Sequence, residues 1–357
     1  MSRRIAATGV APFRRPSLQD VAKLAGVSAA AVSYVVNGRT GEVGANTLER
    51  IQAAIKTLRY QPQRRGLSLR FNREFAIGLV IVDPNPNFLS DPFTNQIATG
   101  LSNTLIEPGY GLTVTGCSSI EKLKRLLLRP IGVDAFVVVA SGPAQARVEA
   151  YQTLSDANLP VVIVQDTAPT GIADGCALMQ DDHGGARSLT RHLLNCGARR
   201  FLFVAPSTDW PAVERREAGI LSALPKKCSF SRIGCDEHDF GATAAAVGQA
   251  LDRTPLPDAI MGANDQSGIA ARRALDRRKV AVPSDVQVTG YNDFAFRSYM
   301  TPLLTTVTSN ALELGRRCAT AILKRLDSGS FEEREVTLPV KLSVGGTTVP
   351  PKSAKVS

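Results

Sequence analysis

Apolar residues recur at helical spacing in two short runs near the start of the chain. Leu18, Val21, Ala22 and Leu24 mark the first, and Val32, Val35 and Val36 the second. Gly26 falls between them, where a tight corner needs a residue that tolerates positive φ. Ser28 is placed to cap the second run through its hydroxyl. A third run, Leu48, Ile51, Ile55 and Leu58, closes a three-helix core and ends near Arg59-Tyr60, because the residue before Pro62 is pushed out of the α region. A helix, a glycine corner and a second helix predict a helix-turn-helix, whose second helix suits the DNA major groove.

From residue 75 the pattern changes. Apolar runs predict strands over 76–82, 112–115, 135–139, 161–165, 201–204, 259–262 and 287–290. Amphipathic stretches over 94–107, 120–128, 145–157, 184–196, 212–223, 242–252 and 266–279 predict helices between them. Continuous Val/Ile runs alternating with helices indicate parallel sheets covered on both faces. The expected architecture is a small all-α head followed by an α/β body of two doubly wound parallel-sheet subdomains. Such sheets bind ligands beyond the carboxyl ends of their strands.

Charge sharpens the division. Residues 1–74 hold 13 Lys and Arg against 4 Asp and Glu, whereas the remainder holds 29 against 28. A basic head on a neutral body points to double-stranded DNA as a partner of the head alone. The six cysteines form no CxxC pair, and Cys235-Asp-Glu-His238 lacks a second ligand pair, so neither a metal nor another cofactor is expected. No apolar run reaches the ~18 residues of a membrane span, and the first fifteen residues lack the apolar core of a signal peptide. The expectation is a cytoplasmic protein without a membrane partner. G-x-S-x-G, Walker and post-strand G-x-G-x-x-G motifs are absent. Asp181-Asp182-His183 reads as charge at a helix N-terminus, so an enzyme is not expected.

Residues 17–37, SLQDVAKLAGVSAAAVSYVVN, resemble the opening of the LacI/GalR family of bacterial transcriptional regulators. Ser17, Asp20, Val21, Ala22, Ala25, Gly26, Val27, Ser28, Val32, Ser33, Val35 and Asn37 match its pattern, and the likeness runs to about residue 350. It implies a homodimeric repressor on a palindromic operator, controlled by a small-molecule effector, a sugar or sugar derivative such as a sugar acid, held between two periplasmic-binding-protein-like subdomains. The implied limits are a leader over 1–15, a head over 16–61, a hinge over 62–74, a body over 75–345 and a tail over 346–357. Subdomain crossovers are expected near 165, 292 and 327. The tail has no leucine heptads, so tetramers by that route are not expected.

The same resemblance places Ser17, Leu18, Ser28, Ala29, Ala30, Ser33, Tyr34 and Asn37 at the DNA. Ala29, Ala30 and Tyr34 occupy base-reading positions. Ala methyls suit thymine methyls, while Tyr cannot take guanine bidentately as Arg does. The alanines also serve plain helix propensity. Ser17, Ser28, Ser33 and Asn37 suit phosphate oxygens. Leu69 is the implied minor-groove wedge of the hinge, with a flexible basic linker as the alternative. For the effector, strand-end position selects Phe88, Asp91, Phe93, Gln165, Asp166, Asn264, Asp265 and Asn292, and the resemblance adds Arg216 and also implies Asn292. Phe88 and Phe93 are suited to stacking on a sugar ring or to loop packing, and Asn264 and Asp265 equally suit helix capping. Arg215 competes with Arg216 for one position.

Overall fold

A computed structural model describes Arg14 and residues 16–61, 73–236 and 238–350. The chain divides into two compact units between Glu74 and Phe75. The first contains α1 (Leu18–Ala25), α2 (Ala29–Val36) and α3 (Ala45–Leu58). Val21, Ala22, Ala25, Val32, Ile51, Ala54 and Tyr60 form its core. Leu24, expected on the inner face of α1, is 53% exposed, because Ala25 takes the inward position next to it. Leu69 and the rest of the expected hinge up to Asn72 lie outside the described residues, as do nearly all of the leader and the tail beyond Pro350.

The second unit carries two parallel sheets. The first, in spatial order β11-β5-β4-β3-β1-β2, is built from β1 (Ala76–Val82), β2 (Gly111–Cys117), β3 (Ala135–Ala140), β4 (Val161–Val164), β5 (Gly175–Gln180) and β11 (Glu335–Leu338). Every residue of β1 is buried, and the period of two sends Ile77, Leu79 and Ile81 to one face and Ala76, Val80 and Val82 to the other. Helices α4 (Pro92–Leu105) and α11 (Ala311–Ser328) cover the first face, and α5 (Ile120–Leu127) and α6 (Ala144–Ser155) the second. The second sheet runs β7-β6-β8-β9, from β6 (Arg200–Pro206), β7 (Ser229–Cys235), β8 (Ala259–Gly262) and β9 (Gln287–Thr289). One face carries α7 (Asp182–Asn195) and α8 (Pro211–Ala223), the other α9 (Phe240–Arg253) and α10 (Asp265–Arg277). The antiparallel pair β10 (Thr306–Thr308) and β12 (Lys341–Ser343) packs beside α7.

The chain crosses between the sheets three times, at places other than those expected. The first crossing falls at Asp181 rather than near 165, because β5 joins the first sheet between β4 and β11. The second falls at Ser309-Asn310 rather than near 292, because β10 stays with the second subdomain while α11 packs on α4. The third falls at Pro339-Val340 rather than near 327, because α11 and β11 both belong to the first. The three links are laced together. Asp181 N–H donates to Leu338 O at 2.9 Å, Asn310 N–H to Gln180 Oε1 at 3.3 Å, and Asn310 Nδ2 to Pro339 O at 2.5 Å.

Candidate functional site

In the first unit, Ser17 and Asp20 form a reciprocal cap on α1. Asp20 N–H donates to Ser17 Oγ at 3.2 Å, and Ser17 N–H donates to the Asp20 carboxylate at 2.7 Å. The Ser17 hydroxyl also donates to that carboxylate, which lowers the Asp20 pKa. Gly26 turns the corner at φ 64°, and Ser28 Oγ accepts from Ala31 N–H at 3.2 Å to start α2. Val32 faces inward, while Ala29, Ala30 and Tyr34 are exposed. Asn37 closes α2 with its amide group, donating from Nδ2 to Ser33 O at 2.7 Å and to Ser33 Oγ at 3.1 Å. Leu18 packs partly buried against the core.

In the second unit, a cleft opens at the strand ends of both sheets. Of the residues expected to meet an effector, it brings together Asp91, Phe93, Gln165, Arg216, Asn264 and Asn292. Phe88 is elsewhere, its ring filling the space above Gly116, where a Cβ would come within 1.9 Å of it. Asp166 is held by Arg147 Nε at 2.9 Å and by the Tyr151 hydroxyl at 3.0 Å. Asp265 is buried beneath the floor, accepting from Phe294 N–H and from the Thr306 hydroxyl. Trp210, Pro211, Val213, His238 and Gln266 line the cleft without having been expected there. Trp210 precedes α8 in the loop after β6, so the strand-end rule extended to that loop would have found it.

The floor is organised around Asp182, the first residue of α7, which has no exposed surface. Arg216 Nε donates to Asp182 Oδ1 at 2.8 Å, its Nη1 to Ala263 O, and its Nη2 to Asn292 Oδ1 at 3.1 Å. The guanidinium carbon stands 3.8 Å from the centroid of the Tyr291 ring. Gln165 and Gln180 each donate to Asp182 at 3.1 Å. Arg215 Nη2 donates to Gln165 O at 2.8 Å and lies 3.5 Å from Asp182, so the two arginines have separate places and only Arg216 lines the cleft. Nearby, Arg147 pairs with Asp166 at 2.9 Å and with Glu214 at 3.3 Å, and donates to Gly142 O. Gly142 N–H donates to Asp209 O at 2.7 Å, joining the loop after β3 to the loop after β6. Asp91 is spent on the first turn of α4, accepting from Phe93 N–H, Thr94 N–H and the Thr94 hydroxyl.

Residues 17–63 match the model for bacterial regulatory proteins of the lacI family, and residues 190–348 match the periplasmic binding protein-like domain. Over 344 residues the chain is 32% identical to the HTH-type transcriptional regulator CelR of Thermobifida fusca, spanning 93% of this chain and 98% of that protein. The chain belongs to the lacI family. Like its relatives it is a DNA-binding transcriptional regulator, with a helix-turn-helix head and an effector-binding body. Its structure is similar to that of a CelR–cellobiose complex, with a TM-score of 0.67, 29% identity, and 93% of this chain and 100% of that one covered. It shares the fold of the lac repressor dimer bound to operator and the anti-inducer ONPF, with a TM-score of 0.81, 24% identity, and 94% and 100% covered. Among the described residues of this lacI-family chain, no helix is long and apolar enough to cross a membrane, and no group of three His, Cys, Asp or Glu could hold a metal.

Burial pushes the Asp265 carboxyl up to about 7, against the hydrogen bonds it accepts, with Asp293 raising it further and Arg297 opposing. The folded chain therefore keeps this proton where the unfolded chain, near 3.8, has lost it. The contribution to stability is largest at low pH and falls as pH rises towards 7. Burial lowers the His192 pKa, which acts in the opposite sense by costing stability as pH falls below 6.5. The comparison with a variant isolates Asp265. Between pH 5.5 and 8 the Asp265→Asn protein is expected to gain on the parent in melting temperature. Its amide can accept from Phe294 N–H and donate to Thr306 Oγ1. A constant offset across that range would refute the buried proton.

Proposed function

We propose that this chain is a homodimeric, cytoplasmic repressor, acting by binding rather than turnover, whose operator affinity is set by an uncharged sugar in the cleft. The head of residues 16–61 is joined to the body of 75–345 by the 62–74 segment, with Leu69 as the wedge. The contact set is Phe93, Trp210, Gln165, Arg216, Asn264 and Asn292, with Asp91 ordering the first turn of α4. The observation that carries this reading is the pairing of the arginines at and beside the cleft. Among the described residues, Arg147, Arg215 and Arg216 are matched by Asp166, Asp182 and Glu214, which leaves none of the three for a sugar acid or a phosphate. Phe93 and Trp210 offer flat apolar faces to a sugar ring, and the anchored amides and guanidinium offer oriented groups for its hydroxyls. The similar CelR structure holds cellobiose, a neutral sugar.

The effector shifts operator affinity only by the difference in its binding to two body conformations, typically about 1–3 kcal/mol. Two measurements test the proposal. A gel shift on DNA upstream of the protein's own operon should show a specific complex whose strength changes with a neutral sugar. In a thermal-shift screen, a neutral sugar at 100 times its Kd should contribute about 2.7 kcal/mol, a rise of roughly 4–5 °C. A rise with sugar acids or purines and none with neutral sugars would sink the effector assignment.

A further inference from the structure

We infer that α2 reads its DNA half-site through thymine methyl groups, with the Tyr34 hydroxyl supplying the single hydrogen bond to a base edge. The inference rests on the DNA-binding reading of the head and goes beyond it to the sequence class of the site. Helix α2 is Ala-Ala-Ala-Val-Ser-Tyr-Val-Val and contains no Arg, Lys, His, Asn, Gln, Asp or Glu. None of its side chains can make the two-point contact by which guanine or adenine is picked out in the major groove. In a helix-turn-helix the N-terminal residues of the second helix meet the base edges. Here those residues are Ala29 and Ala30, both exposed, with Tyr34 38% exposed one turn further on.

The polar groups that flank this face are held by local bonds. The Ser28 oxygen caps α2 on Ala31 N–H, the Ser33 oxygen accepts from Asn37, and the Asn37 amide donates back into the helix end, which leaves the two hydroxyl protons for phosphate oxygens. What α2 presents is a strip of methyl groups with one phenol. The complementary feature in B-DNA is the thymine C5-methyl, which no other base carries. The short alanines also let the helix backbone come close to the groove floor, so the methyl contact excludes water on both sides.

The full-length protein is first used to enrich duplexes from a random pool at one fixed salt concentration. Thymines in the enriched half-site are then replaced one at a time by deoxyuridine, which removes only the methyl, and guanines by 7-deazaguanine, which removes the N7 acceptor. Each contacted thymine is expected to cost about fourfold in affinity when its methyl is lost, as burial of one methyl predicts. The 7-deazaguanine sites should bind within twofold of the parent. In Ala30→Gly the uridine penalty at one position should vanish while penalties elsewhere stay, a coupling that loss of helix stability would not produce. Tyr34→Phe should lose preference at a single base pair. Uridine sites that bind as tightly as thymine sites, with 7-deazaguanine costing tenfold, would overturn the inference and leave DNA binding intact. No enriched duplex at all would overturn the DNA-binding reading itself.

Discussion

Replacing Asp182 by alanine is expected to lower the melting temperature by roughly 5–8 °C, the equivalent of about 3–5 kcal/mol for an unmatched buried charge. Asp182 is fully enclosed and is the direct counter-charge of Arg216, which is itself 4% exposed. Without the carboxylate, Arg216 keeps only neutral acceptors and the Tyr291 ring, and Gln165 and Gln180 each lose an acceptor. The second cycle is the sharper test. Asp182→Ala combined with Arg216→Met should be more stable than the sum of the single changes, because the pair costs desolvation that a neutral pair does not. Strict additivity in urea unfolding would show that the two residues do not form a unit. The Arg216→Met protein should also lose its thermal response to the effector, since its fork of donors orients the cleft.

The other large effect is expected where α4 and α11 cross. A Cβ on Gly100 would stand 2.2 Å from Leu312 O, and one on Gly315 would stand 2.3 Å from Ile97 O. Both obstacles are backbone, so neither can swing aside. Alanine gains about 1 kcal/mol over glycine in helix propensity, yet Gly315→Ala should still lose stability, because forcing the helices apart costs about 1–3 kcal/mol. Gly315→Val should lose more and reduce the yield of soluble protein. Gly41→Ala is the control, because nothing lies within 4 Å of its Cβ position. If Gly315→Ala melts at or above the parent temperature, the crossing is looser than described.

The strands that the sequence announced are those with unbroken apolar runs, such as β1, β3 and β4, buried along their whole length. The strands it did not announce lack that signal for physical reasons. β7 is an edge strand, Ser-Phe-Ser-Arg-Ile-Gly-Cys, most of whose residues are exposed or half-buried. β5 begins with Gly-Cys and β10 and β12 span three residues each, too short for a period to show. Missing β5 and β10 displaced the first two expected crossovers, and missing β11 displaced the third. At the cleft, strand-end position found Gln165 and Asn264 because ends of parallel strands converge. It could not separate residues facing the cleft from those one position away facing the interior, so Asp166 and Asp265 were selected with them. Arg216 followed from resemblance alone. Its full set of partners comes from segments far apart in the chain, Asp182, Ala263 and Asn292, and that convergence is a property of the fold rather than of any local pattern.

Asn310 has a mechanical consequence. Because it fastens the second crossing to the first and third, the lobes are linked at one gathered joint instead of by three separate tethers. One or two residues of chain reach no more than about 7 Å, so the three links cannot move far apart independently. An effector that reset the angle between the lobes would act on all three links at once, and compounds of unlike chemistry that hold the same angle would give the promoter the same signal.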